Sequence, residues 1–216
     1  DVTVIEMLDD VLPPYDDDVS RIVRKHAEEL GVEFHFGYTA EDWEQSGDGV
    51  VVTATPAAAD GGEAAEDEDE QEVLELSADK VLVAVGRQPV TDTMNLEAAG
   101  IETDENGFIQ TDDRARTEKD HIFAVGDVAG EPMLAHKAST EGQVAAEVIA
   151  GEPSAIDYQA MPAAVFTSPE IGTVGLTEAE AEEQGFEPAV GKFPFNASGR
   201  AMTANETDGF VRIVAD

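Results

Sequence analysis

Cysteine is absent from the 216 residues, which excludes structural disulfides and cysteine-ligated zinc within them. Basic residues are also scarce: 12 Lys and Arg stand against 48 Asp and Glu, a formal net charge of -36. A surface this acidic repels phosphodiester backbones and anionic lipid, so nucleic acid and membranes are excluded as partners. No apolar run reaches the roughly 18 residues that a bilayer-spanning helix needs. Asp1-Val2-Thr3-Val4-Ile5-Glu6 lacks the basic-then-apolar order of a signal peptide, so a cytoplasmic location is expected. Metal-ligand spacing, a Gly-x-Ser-x-Gly elbow and a phosphate loop ending in Gly-Lys-Ser/Thr are missing too. Hydrolase, nucleotidase and metal-site readings are therefore without support.

What is present is an apolar share of 42%, ordinary for a folded chain with a core. The acids are spread along the chain, as in Asp16 to Asp18, Glu28, Glu29, Glu178, Glu180, Glu182 and Glu183. Self-repulsion on this scale opposes compaction at low ionic strength, while at about 1 M salt the Debye length shrinks to about 3 Å and screens it. Halophilic adaptation is the expectation.

The opening Val2 to Leu8 predicts a buried strand, and Asp17 to Leu30 a helix with Val19, Ile22, Val23, His26 and Leu30 on one face. Val32 to Phe36 alternates as a second strand, so residues 1–36 read as a parallel strand-helix-strand crossover. Gly49 to Thr55 and Val73 to Leu76 predict a hairpin joined by a long, mobile acidic loop at Pro56 to Gln71. Lys80 to Gly86 is a continuous apolar run, expected as a strand buried on both faces, broken by Gly86-Arg87-Gln88-Pro89. Beyond it, Gly107 to Thr111 and His121 to Asp127 read as short strands, and Ala135 to Ala150 as a long helix closed by Gly151. From Ile156 the texture changes. Strand-like pieces at Ala163 to Thr167, Ile171 to Leu176, Val190 to Phe195 and Gly209 to Val214 surround one helix at Glu178 to Gln184.

Two acids stand where strands give way to turns. Glu6 occupies the position at which dinucleotide folds bind an adenosine ribose diol, or is simply an acid near a helix. Its Gly-x-Gly-x-x-Gly partner would lie about 20 residues earlier. In Ile122-Phe123-Ala124-Val125-Gly126-Asp127 the glycine permits close backbone approach and the carboxylate suits sugar hydroxyls; the plainer alternative is a capped turn. Met133-Leu134-Ala135-His136 opens the long helix shortly afterwards, and a helix amino end attracts anions. His136 taken alone reads more readily as a packed helix-start residue than as a catalytic base, and His26, His35 and His121 read as structural.

Taken together, Val81 to Pro89, Gly107-Phe108-Ile109, His121 to Asp127 and Met133 to Ala138 with Glu141-Gly142 resemble the pyridine nucleotide-disulfide oxidoreductases. Leu134-Ala135-His136-Lys137, Ser168-Pro169-Glu170-Ile171 and Val174-Gly175-Leu176-Thr177-Glu178 resemble the branch of that family that oxidises dihydrolipoamide. The resemblance implies an α/β architecture: an incomplete two-dinucleotide-binding-domain flavoprotein fold plus the start of an α+β dimerisation domain. Residues 1–88 would be NAD-binding, 89–155 the second segment of the FAD-binding domain and 156–216 the beginning of the homodimer interface. It implies NAD contacts at Glu6, Tyr38, Ala84, Val85 and Gly86, with Glu6 disfavouring NADP by charge. FAD contacts would fall at Gly126, Asp127, Met133, Leu134, Ala135 and His136, while Arg87 and Pro89 would shape the crossover between domains. Electrons would pass from dihydrolipoamide through a redox disulfide and FAD to NAD, with a 2-oxo acid dehydrogenase complex or another lipoyl protein as partner.

The family's amino-terminal glycine loop, redox cysteine pair and carboxyl-terminal His-Glu pair have no counterpart here, so an internal fragment without catalytic residues of its own is expected. Another FAD/NAD(P) disulfide reductase or an NADH oxidase is the nearest rival reading. A non-catalytic nucleotide-binding module is the rival of a different class.

Overall fold

Alternating apolar residues at either end of an amphipathic helix make a parallel crossover, and the first 36 residues fold in this way. The computed structural model describes residues 1–13, 15–57, 73–158 and 160–216. The chain divides into two units, residues 1–83, 164–171 and 176–216, and residues 84–163 and 172–175.

In the first unit β1 (Val2–Glu6) pairs in parallel with β2 (Val32–Phe36), Val2 lying opposite Val32 and Glu6 opposite Phe36. Helix α1 (Asp17–Glu29) connects them, with Asp17 and Asp18 in its first turn as charges that complement the helix dipole. Ser20 and Val23 are its buried residues, and Val19, Ile22 and His26 are half-buried. Leu30, expected on the same face, is 72% exposed because the helix has ended before it. Phe34 and Phe36, two apart on one strand and so on one face, stack at 5.3 Å, and Arg24 lies over the Phe36 ring.

A three-stranded antiparallel meander follows: β3 (Tyr38–Ser46), β4 (Gly49–Pro56) and β5 (Leu74–Ala78). The sequence does not announce β3, because Glu41, Asp42 and Glu44 give it a loop's polarity. It is an edge strand, where acids are tolerated and discourage further pairing. Ser46 pairs with Gly49 across a two-residue turn in which Gly47 takes φ +62°, a conformation that glycine adopts without a Cβ penalty. The expected pairing of β4 with β5 is present, and Val52 and Ala54 are buried on β4. Residues 58–71 of the expected acidic loop lie outside the described residues.

Strands β6 (Ala163–Val165) and β7 (Ile171–Thr173) are three residues each. After them come α4 (Glu178–Glu183), β8 (Ala189–Pro194), α5 (Gly199–Ala204) and β9 (Phe210–Ala215); α5 was not expected. β8 and β9 pair antiparallel, Lys192 opposite Arg212. The short α4 is held at its start by a capping box, in which the Thr177 hydroxyl accepts the Glu180 amide and the Glu180 carboxylate accepts the Thr177 amide.

Two cations on the β8-β9 hairpin reach the amino end of α1: Lys192 pairs with Asp18, and Arg212 with both Asp16 and Asp18. The Phe210 ring lies under Lys192 at 3.8 Å and Arg212 at 5.1 Å. Partial burial pushes the Asp18 carboxyl up, but the Lys192 hydrogen bond and the charges of Arg212 and Lys192 outweigh it and hold the group below its usual range.

The second unit is mostly irregular. Its core is Ile101, Ile109 and Ala124, with Leu96, Ile122, Val128 and Ala129 packed against them. Around these lie α2 (Leu96–Ala99), a 3-10 turn at Gly126–Val128 and the 15-residue α3 (Ala135–Ile149), followed by Gly151 at φ +90° as expected. Residues 80–86 are not the expected buried strand. They run without regular hydrogen bonding, with Leu82 89% and Val85 93% exposed. An apolar run becomes a strand only where a neighbour accepts its ladder, and among the described residues none does. For the same reason Gly107–Thr111 and His121–Asp127 make only the isolated bridges Thr103 to Ile109 and Arg116 to Phe123.

Thr177→Ala should loosen α4 by about 1 kcal/mol, so hydrogen exchange at the Glu180 and Ala181 amides should accelerate roughly fivefold while Thr177→Ser stays near wild type. Because the folded pKa of Asp18 is depressed, its contribution is full above the unfolded value of about 3.9 and is lost as pH falls through the lower folded value. The difference in urea midpoint between wild type and Asp18→Asn should thus hold constant from neutral pH to about 5 and close below about 4.

Candidate functional site: the Gly126 turn and the start of α3

The extended chain at Val125 (φ -141°, ψ 150°) turns at Gly126, whose φ is +78°. A Cβ built on Gly126 would stand 2.9 Å from the Ala138 Cβ, so the turn is pressed against the first turns of α3 and only glycine fits there. Asp127 follows with its carboxylate half exposed. Leu134, the residue before α3, is extended, and among the described residues no side chain caps the helix. Its first N–H groups and positive dipole end are left for an anionic or electron-rich ligand.

Beneath this turn lies a buried polar cluster. Lys137 and Glu141 are 2% and 4% exposed, and their charged groups are 2.9 Å apart. The Lys137 ammonium also donates to the Gly130 carbonyl at 3.0 Å and, at the long limit of 3.5 Å, to the Gly126 carbonyl. Glu141 accepts the Gly126 N–H at 2.5 Å and the Tyr158 hydroxyl. Burial alone would raise the Glu141 carboxyl, but the Tyr158 hydroxyl, the Gly126 N–H and Lys137 together hold it below its ordinary range. Tyr158 is pushed up by burial and by its bond to that carboxylate, which keeps its proton in place as the donor.

Arg87 makes a second connection. Its Nη2 donates to the Met133 carbonyl at 2.6 Å and its Nη1 stands 3.7 Å from Asp127 Oδ2. The Met133 side chain is buried and its N–H is accepted by Glu131; Leu134 is half-buried, and Ala135 and His136 are exposed. The His136 Nε2 is 2.6 Å from the Pro162 carbonyl oxygen, which orients the ring as an Nε2 donor. Gly126, Asp127 and the segment Met133 to His136 therefore stand together around one turn.

The residues singled out for a dinucleotide are distributed differently. Glu6 ends β1, with one carboxylate oxygen accepting the Leu8 N–H at 3.0 Å. Tyr38 opens β3 two residues after the end of β2, edge-on to His35. Ala84, Val85 and Gly86 are exposed members of the second unit.

Exposed acids and helix starts do not point to the buried cluster. Its signal is there: Lys137, Glu141, Val144, Ala145 and Val148 fall on one helical stripe, and all are buried. A Lys and a Glu four apart on an apolar stripe mark a paired interior charge.

The donor set suits two ligands. An exposed carboxylate on a glycine turn, beside a helix start that no side chain caps among the described residues, suits the polyol of a flavin and a ring that gains negative charge on reduction; a carboxylate at the carboxyl edge of a parallel strand suits a ribose diol.

The Pyridine nucleotide-disulphide oxidoreductase family model matches residues 1–142, and the chain belongs to this family. The model of the family's dimerisation domain matches residues 161–216. The chain is 64% identical over 215 residues to "Dihydrolipoyl dehydrogenase 3" of Haloarcula marismortui, covering 100% of this chain and 43% of that protein. It is 62% identical to "Dihydrolipoyl dehydrogenase" of Halobacterium salinarum and 42% identical to that of Bacillus subtilis, in each case over 43% of the relative. Among solved structures it superposes with TM-score 0.84 on the HOCl-induced flavoprotein disulfide reductase RclA of Escherichia coli, at 28% identity, covering 100% of this chain and 46% of that one. LpdA of Mycobacterium tuberculosis matches with TM-score 0.83 at 28% identity, covering 99% of this chain and 43% of that one. The fold is therefore that of the α/β flavoprotein disulfide reductases with their dimerisation domain, and the chain spans less than half the length of these relatives.

Gly126→Ala forces both the positive φ and the contact with Ala138, and should destabilise by about 1–3 kcal/mol. Gly142→Ala, in α3 with open space around it, should stabilise by about 0.5–1 kcal/mol. Urea midpoints of the full-length protein in molar KCl should move in opposite directions.

Proposed function

We propose that this chain forms the NAD-contacting strand edge, one wall of the flavin site and part of the homodimer interface of a salt-adapted, cytoplasmic dihydrolipoamide dehydrogenase. The observation that carries the reading is agreement over the whole chain with dihydrolipoyl dehydrogenases of Haloarcula and Halobacterium. The reaction oxidises dihydrolipoamide to lipoamide and reduces NAD, through a redox disulfide outside these residues. FAD, when bound, supplies the relay of two electrons between thiols and nicotinamide.

Within that reaction Asp127 binds the ribityl hydroxyls, and the amino end of α3 with Leu134, Ala135 and His136 runs along the isoalloxazine, its dipole favouring negative charge there. Glu6 holds the adenosine ribose of NAD and repels the extra phosphate of NADP, with Tyr38 beside it, and Ala84 to Gly86 are assigned to NAD on the family likeness alone. Residues 1–88 are assigned to NAD binding, 89–155 to FAD binding and 156–216 to dimerisation, the last supported by the matched dimerisation model. The net charge of -36 supports work in concentrated salt, where it is screened. A lipoyl protein such as a 2-oxo acid dehydrogenase complex is the partner this activity requires.

A second reading, another flavoprotein disulfide reductase, is favoured by the superposition on RclA. The full-length protein in molar KCl separates the two: NAD reduction with dihydrolipoamide supports the first, and NADPH oxidation with glutathione disulfide alone supports the second. Glu6→Gln should raise the KM for NAD about 10- to 100-fold, the loss of a charged hydrogen bond, and narrow the preference over NADP while leaving the flavin spectrum unchanged.

A further inference from the structure

The Lys137-Glu141 pair, met by the hydroxyl of the 43% exposed Tyr158, has no part in the chemistry proposed above, yet the pair is the most buried set of ionisable groups around the site. A buried ion pair is a poor source of stability, since desolvation offsets most of its attraction. Intrahelical preference does not explain it either, because the favourable order along a helix places Glu before Lys and here Lys comes first. What distinguishes the cluster is where its remaining bonds go. Lys137 directs its other two donors to the carbonyls of Gly126 and Gly130, and Glu141 accepts the Gly126 N–H. The turn from 126 to 130, which carries Asp127, is thus gripped at both ends by side chains from one helix face. Tyr158 fixes the other side of the Glu141 carboxylate.

We propose that Lys137, Glu141 and Tyr158 are positioning residues that hold the Gly126–Gly130 turn so that the Asp127 carboxylate meets the flavin ribityl chain. The proposal rests on the reading of Asp127 as the ribityl ligand. None of the three residues touches the cofactor; they act through the turn. With the grip removed, Asp127 still carries its charge but no longer holds one orientation, so its hydrogen bonds to a polyol are lost to water.

The test is a double-mutant cycle on the full-length protein in molar KCl, reading FAD affinity by reconstitution of apoprotein and environment by flavin fluorescence and visible circular dichroism. Replacing both charges with apolar groups of similar size, Lys137→Met with Glu141→Leu, leaves no unpaired buried charge and so permits folding. Asp127→Asn should weaken FAD about 10- to 100-fold in the native background and less than about threefold in the Lys137→Met/Glu141→Leu background, which itself should bind FAD about tenfold more weakly and show altered flavin circular dichroism. Equal losses from Asp127→Asn in both backgrounds, or native FAD affinity without the ion pair, would overturn the proposal. No loss from Asp127→Asn in the native protein would instead sink the reading of Asp127 itself. If the double replacement does not fold, Tyr158→Phe, which keeps both charges and the ring, enters the same cycle. There a coupling of at least threefold supports the lock, and additivity overturns it.

Discussion

A lysine ammonium with almost no contact with water must have its charge and all three of its N–H donors answered by protein, and Lys137 imposes that demand on the second unit. The answers come from Glu141 on the same helix and from two carbonyls of the preceding turn, with Glu141 satisfied in its turn by Gly126 and Tyr158. The consequences spread outward. Gly126 is drawn against Ala138 until no Cβ fits, Asp127 is left pointing outward, and the start of α3 stays open beside it. An irregular segment, with a core of only a few apolar residues around Ile101 and Ile109, thereby gains a defined surface.

The chain's acidity gives this arrangement a particular setting. Pairs such as Arg24 with Glu28, Lys25 with Glu29 and Arg212 with Asp16 are exposed or partly so, and contribute little that concentrated salt does not screen. Lys137 and Glu141 are shielded from that screening by burial. A chain carrying a charge of -36 can thus retain local electrostatic order at the Gly126 turn in concentrated salt while its surface pairs fade.

Much of the first unit was legible in sequence because its elements are local. The β1-α1-β2 crossover, the β4-β5 pairing and the capped α4 follow from periodicity, turn residues and caps, and each lies within a residue or two of expectation. β3 escaped because an edge strand tolerates the polarity of a loop, and residues 80–86 misled because an apolar run shows its suitability for a sheet, not the presence of a neighbour. The glycine-acid turn and the helix start were legible as separate elements, and the structure brings them together. The buried ion pair behind them was overlooked because an i,i+4 Lys-Glu pair reads as surface decoration unless the apolar stripe it shares is traced through Val144, Ala145 and Val148.

We propose that the Gly126-Asp127 turn is built to meet a flavin, and a crystal structure of the full-length protein with FAD bound tests this. The Asp127 carboxylate should lie within about 2.5–3.2 Å, the range of a hydrogen bond, of a ribityl hydroxyl, with the amino end of α3 along the isoalloxazine ring. A flavin seated elsewhere, with Asp127 facing only Arg87 and solvent, would contradict it.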